Sequence, residues 1–189
     1  DPVRGPVTYT ENTNPEMDYS DVMRGVKAEN QIDFLNCAVL CGLGEKSMIN
    51  SLLTKEYGPF VRYCFILTDA VIEPTEHKEE KLCDRCGECI KACHGGAIDA
   101  DGNIDTWRCA VYYNGANGSK NPFMPPDAFS DLADRLKIID GSAKIDTGLA
   151  VEILNRCLFY PPAKHFYRTS ICGRACDRAC YIHLEEKGV

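Results

Sequence analysis

Apolar positions along this chain fall at helical spacing in several separate stretches. Ile32, Leu35, Ala38 and Val39 recur three or four residues apart, so residues 31–41 predict an amphipathic helix. Gly42 should end it, because glycine accepts the left-handed conformation of a helix C-terminus. A weaker stripe of Val22, Met23 and Val26 predicts a helix over 17–30, capped by Asp18 or Ser20. At 61–68 the pattern changes to aromatic and β-branched residues, which predicts a buried strand. The segment 97–104, AIDADGNI, predicts a hairpin turning tightly on Asp101-Gly102. Asp105 or Thr106 then caps a short helix carrying Trp107, Cys109 and Val111. Two longer helical patterns follow, one over 126–139 burying Phe129, Leu132, Leu136 and Ile139. The other covers 145–158, buries Leu149, Ile153, Leu154 and Cys157, and is broken by Pro161-Pro162. Loop composition marks 1–16 as a lead-in or linker and separates the elements again at 114–126.

Cysteine spacing changes this picture most. CDRCGECIKAC, residues 83–93, sets Cys83, Cys86, Cys89 and Cys93 three, three and four apart. Three thiolates so spaced on a tight loop suit three corners of one cubic iron–sulfur cluster, with the fourth cysteine serving another cluster. A structural zinc site usually shows two separated ligand pairs instead. CGRACDRAC near the C-terminus adds Cys172, Cys176 and Cys180. Two four-iron clusters require eight thiolates, and Cys109 in DTWRCAVYY is the best candidate for the eighth. The remaining Cys37, Cys41, Cys64 and Cys157 are expected to act as small buried hydrophobes. Gly42, Gly44 and Gly58 read as ordinary turn chemistry, and His94 as a substitute at a turn position.

Charge and length narrow the classes. The chain has 189 residues with 28 acidic and 21 basic side chains, a net charge of -7. The basic residues are scattered, so no patch for nucleic-acid phosphates is evident and a nucleic-acid partner is not expected. No apolar run reaches membrane-spanning length. The first residues, Asp1-Pro2, suggest a fragment or processed product.

Taken together, GLG, LLTKEYGPFVRYCFILTDAVIEP, CDRCGECIKACHGGAI, DTWRCAVYY and the terminal cysteine group resemble the epoxyqueuosine reductases and the related reductive dehalogenases. The resemblance covers about 31–113 and 170–181. It implies an α+β fold in which 17–76 is a segment of an α/β core that closes over cobalamin. Residues 77–189 would be a ferredoxin-like module with two [4Fe-4S] clusters and a helical insertion at about 114–165. It assigns Cys83, Cys86, Cys89 and Cys180 to one cluster and Cys93, Cys109, Cys172 and Cys176 to the other. The sequence departs from that pattern at His94 and Tyr181, which stand where prolines usually follow the cysteine runs, and in its four-and-four terminal spacing. No catalytic residue carries over.

The expected function is electron transfer within a cobalamin-dependent oxidoreductase, supplied by a ferredoxin or flavodoxin type partner in the cytoplasm. A stand-alone ferredoxin-like carrier and a zinc-stabilised binding module are the alternatives. The resemblance brings a tRNA substrate with it, against which the acidic balance counts.

Overall fold

A computed structural model describes residues 33–64, 66, 68–73, 81–157, 159 and 170–189. The expected lead-in at 1–16, the helix over 17–30 and Pro161-Pro162 lie outside the described residues. In chain order the elements are helix α1 (Phe34–Leu40), strands β1 (Glu45–Lys46) and β2 (Leu52–Leu53), then helices α2 (Glu88–Ala92), α3 (Thr106–Tyr113), α4 (Arg135–Asp140), α5 (Thr147–Arg156) and α6 (Ala175–Lys187). They form two compact units that interleave along the sequence. One contains residues 32–92, 98–103 and 175–189; the other contains 93–97 and 104–174.

In the first of these units, Asp33 caps α1 by accepting a hydrogen bond from the Asn36 amide. The helix ends as its sequence predicts. Gly42 has φ 73°, its amide donates to Val39 O, and the Leu43 amide donates to Ala38 O. These two bonds form a Schellman motif, which satisfies carbonyls the helix leaves open. β1 and β2 pair antiparallel with Glu45 opposite Leu53. Gly44 permits that pairing: a Cβ there would fall 2.1 Å from Leu53 O. Leu53, Leu82 and Leu184 form a small core, with Cys83, Cys180 and Val189 packed against it.

Residues 61–64, 66 and 68 form no strand, and Ile66 is 84% exposed. A strand needs neighbours to pair its backbone and cover its side chains. Among the described residues, the named strands are confined to the β1–β2 pair. Leu40, Val71 and Ile72 are also exposed, as are Cys41 and Cys64, which do not serve as core packing. Cys157 is buried as expected. The turn at 99–103 also differs from a tight primed hairpin. Gly102 has positive φ, whereas Asp101 does not. The Asp99 carboxylate instead collects the amides of Asp101 and Asn103 and the Asn103 side chain.

The second unit has the larger core, built from Trp107, Val111, Tyr112, Phe129, Ile138, Ile153 and Leu154 with smaller residues between them. Asp105 caps α3 and Asp146 caps α5, each accepting an amide three residues on. Burying an aliphatic side chain such as Ile138 or Ile153 contributes about 2 kcal/mol apiece. The helix expected over 126–139 is shorter than its pattern. Phe129 takes φ 58°, a left-handed residue that interrupts any helix before α4. Arg135 donates to Ala128 O and Pro126 O, so its guanidinium meets carbonyls that a helix would have paired internally. Starting α4 later changes its buried face: Ile138 is fully buried and Leu136 is 72% exposed.

Candidate metal centre

The cysteine run enters its loop at Leu82 and turns through two left-handed residues, Arg85 at φ 59° and Gly87 at φ 80°. The Asp84 side chain accepts from the Cys86 amide at 3.2 Å, and the Arg85 guanidinium donates to Asp101 O at 2.9 Å. These contacts curl the backbone so that Cys83, Cys86 and Cys89 line one cavity together with Cys180 of α6. α2 packs against α6, which brings together cysteines more than ninety residues apart in sequence.

Burial pushes the Cys180 thiol up to about 12, and the neighbouring Cys83, Cys89 and Cys86 act in the same direction. Cys89 is raised mainly by burial, with added effect from Cys86 and Cys83. Cys89 and Cys180 resist ionisation because a charge on either would be poorly solvated and would stand beside other thiolates. A metal that takes these thiols must displace their protons, so its binding strengthens as pH rises. Four thiol donors around one cavity, three from a tight loop and the short helix after it and one from α6, fit a cubic iron–sulfur cluster.

α6 is held in place by contacts with Asp84 and Phe60. Asp84 Oδ2 lies 3.0 Å from His183 Nε2 and 3.0 Å from Lys187 Nζ. The Tyr181 ring meets Phe60 at a centroid distance of 5.4 Å. The His183 and Lys187 hydrogen bonds, in that order, hold the Asp84 carboxyl well below the usual carboxylate range. A depressed carboxyl contributes its full stabilisation above its ordinary pKa of 3.8 and loses it as pH falls further. Acidification from about pH 5 to pH 3 should therefore lower the protection factors of amides in the last turn of α6, their exchange taken relative to the intrinsic rate at each pH, by roughly two- to fivefold, the scale of an exposed ion pair. Asp84→Asn should abolish most of that pH response; an unchanged response would show that Asp84 does not anchor the helix. Asp84, Cys86 and His183 also bring three ligand-type atoms within 4.8 Å of one another.

The second predicted ligand set is divided between the units. Cys93, Cys109 and Cys172 belong to the unit containing α3. Burial first, then the neighbouring Cys93 and Cys172, push the Cys109 thiol up to about 11 even though the residue keeps an exposed surface. The Ala97 amide donates to Cys93 Sγ at 3.3 Å, and Ser170 Oγ lies 3.5 Å from Cys172 Sγ. Cys176 belongs to the other unit, in the first turn of α6, with its sulfur 4.0 Å from Asp177 Oδ1. Gly173 and Arg174, between Cys172 and Cys176, are both left-handed.

Arg108 organises the approach to Cys93. Its guanidinium donates to Gly95 O, to Ala143 O at 2.8 Å and to Gly141 O at 2.5 Å. His94 meets this region through its backbone, where its carbonyl accepts from Asn117 Nδ2 at 3.5 Å. Its imidazole pKa is lowered by burial and by Lys120. Asp84 carries a local sequence signal, since an Asp two residues before an amide favours an Asx turn. His183, Lys187 and Arg108 carry none, because their partners are distant in sequence or backbone carbonyls.

Comparison with known proteins bears out the family resemblance. The chain is similar to the epoxyqueuosine reductase of Bacillus subtilis, 27% identical over 95 residues, which is 50% of this chain and 23% of that protein. It is 27% identical to the Listeria monocytogenes epoxyqueuosine reductase over 90 residues, 48% of this chain and 24% of the relative. Against the Vibrio cholerae epoxyqueuosine reductase it is 34% identical over 71 residues, 38% of this chain and 19% of the relative. The aligned part thus spans about a quarter or less of the curated relatives' length. No family model and no solved structure matches. The similarity is to oxidoreductases, and the grouped cysteines are consistent with iron–sulfur binding. Among the described residues, no helix is long and apolar enough to cross a membrane.

Proposed function

We propose that this chain binds two [4Fe-4S] clusters and transfers electrons as the iron–sulfur part of a cobalamin-dependent reductase-like protein. The observation that carries the reading is the single cavity lined by Cys83, Cys86, Cys89 and Cys180. Those residues would hold one cluster, and Cys93, Cys109, Cys172 and Cys176 the other. The clusters would supply one-electron transfer. The protein's own part is to fix the thiols, shield them from water and donate amide hydrogen bonds such as that from Ala97 to Cys93. Electrons would come from a ferredoxin or flavodoxin type protein, in a reducing compartment such as the cytoplasm. The names of the relatives point to an epoxyqueuosine group as the substrate of the complete protein.

Anaerobically purified chain should contain about eight iron and eight acid-labile sulfide, as two four-iron clusters require. Cobalamin titration of the full-length gene product tests the corrinoid; cluster content without cobalamin binding would favour a stand-alone carrier. The grouping of Asp84, Cys86 and His183 favours a second reading, a zinc-stabilised binding module. Zinc without iron or sulfide would establish that reading and end the redox one.

A further inference from the structure

We infer that Glu45 is a positioning residue for the cysteine cavity: it fixes the backbone entering Cys83 and, through its charge, lowers the reduction potential of the cluster proposed there. The inference rests on the proposed iron–sulfur reading for its electronic half and on geometry alone for its positioning half. Glu45 Oε2 accepts the Leu82 amide at 2.5 Å and the Cys83 amide at 3.1 Å. One carboxylate oxygen thus holds two successive N–H groups at the point where the chain enters the loop.

The carboxylate is itself rigidly placed. Glu45 pairs with Leu53 across the β1–β2 ribbon, and Leu53 is fully buried beside Leu82, with Cys83 and Cys180 packed on the same core. The close approach of Gly44 to Leu53 O fixes the strand from which Glu45 projects. The ligand Cys83 and the strand partner of Glu45, Leu53, therefore share one core, although 38 residues separate Glu45 from Cys83.

Two consequences follow from a carboxylate there. Bonding to Glu45 occupies the Cys83 amide, so that N–H is not available to a cluster sulfur. A negative charge beside the first ligand also opposes addition of an electron. Amide hydrogen bonds to sulfur and net charge both set cluster potentials, and here both act toward a more negative value.

The test compares Glu45→Gln and Glu45→Ala with the wild-type chain as purified anaerobically. Glu45→Gln keeps an acceptor oxygen and removes the charge. It should retain wild-type iron while the midpoint potential of the cluster bound by Cys83, Cys86, Cys89 and Cys180 moves positive. Glu45→Ala should lose iron and raise hydrogen–deuterium exchange at Leu82 and Cys83 by roughly tenfold or more, the effect of losing charge-assisted bonds. An unchanged or more negative potential in Glu45→Gln would overturn the electronic half. Wild-type exchange at both amides in a folded Glu45→Ala chain would overturn the positioning half. If Glu45→Ala does not fold, rescue of folding and iron content by Glu45→Gln supports positioning, and failure of both variants overturns it. Wild-type chain without iron and sulfide would remove the cluster reading, and the exchange comparison would then decide the positioning half by itself.

Discussion

Cys180→Ala should strip about half of the iron and sulfide from the chain, that is about four of eight irons if two four-iron clusters are bound. The expected loss is selective. Cys180 lines the same cavity as Cys83, Cys86 and Cys89, so removing its thiol should release those three from metal. Alkylation followed by mass spectrometry identifies which cysteines are freed. Cys83, Cys86 and Cys89 should become modified, whereas Cys93, Cys109 and Cys172 should stay protected. The reverse pattern would show that Cys180 serves the other group and that the crossed ligand assignment is wrong. Cys172→Ala supplies the reciprocal variant and should free Cys93 and Cys109. Global folding should change less than metal content, because Cys180 is only partly buried and packs at the edge of a core formed by three leucines.

The second large effect concerns a residue with no side chain. Gly95→Ala should destabilise the unit containing α3 by about 3 kcal/mol, the upper part of the usual range for overpacking. The added Cβ would lie 2.1 Å from Tyr112 Cδ2 and 2.7 Å from Tyr112 Cγ. The ring cannot swing aside cheaply. Tyr112 is 3% exposed, its hydroxyl donates to Ile138 O at 3.0 Å, and the Arg108 guanidinium lies 5.9 Å from its centroid. Nor can Gly95 easily retreat, since its carbonyl accepts from Arg108. Thermal unfolding should show the loss as a fall in midpoint of roughly 10 °C for a chain of this size. Tyr112→Leu in the same background should recover part of it, giving a favourable coupling in a double-mutant cycle. A destabilisation below about 1 kcal/mol would show that the loop yields instead.

These cases show which features could be read in advance. The cysteine spacing is local, and so are the Asp105 cap of α3 and the Gly42 end of α1; each depends on residues within about four positions. Local chemistry misled where distant groups decided the outcome. Residues 61–68 have strand composition, but the described part of that stretch lacks the neighbours a strand requires. The apolar spacing over 126–139 suggested one helix, yet left-handed Phe129 and the reach of Arg135 to two carbonyls divide it. Glu45 resembles any charged residue beside a glycine until its carboxylate is found on the amides of Leu82 and Cys83. Gly44 and Gly95 carry no sign in sequence of what stands against them, because a missing Cβ records a close approach without naming the neighbour.

Interleaving of the two units has a consequence for synthesis. Translation proceeds from one end, at about 5–20 residues per second. Cys83, Cys86 and Cys89 therefore leave the ribosome several seconds before Cys180, with most of the other unit made in the interval. A nascent chain holds only three walls of the cavity during that time. Its thiols must be kept reduced and separate until α6 emerges, so completion of this site waits on docking of that helix.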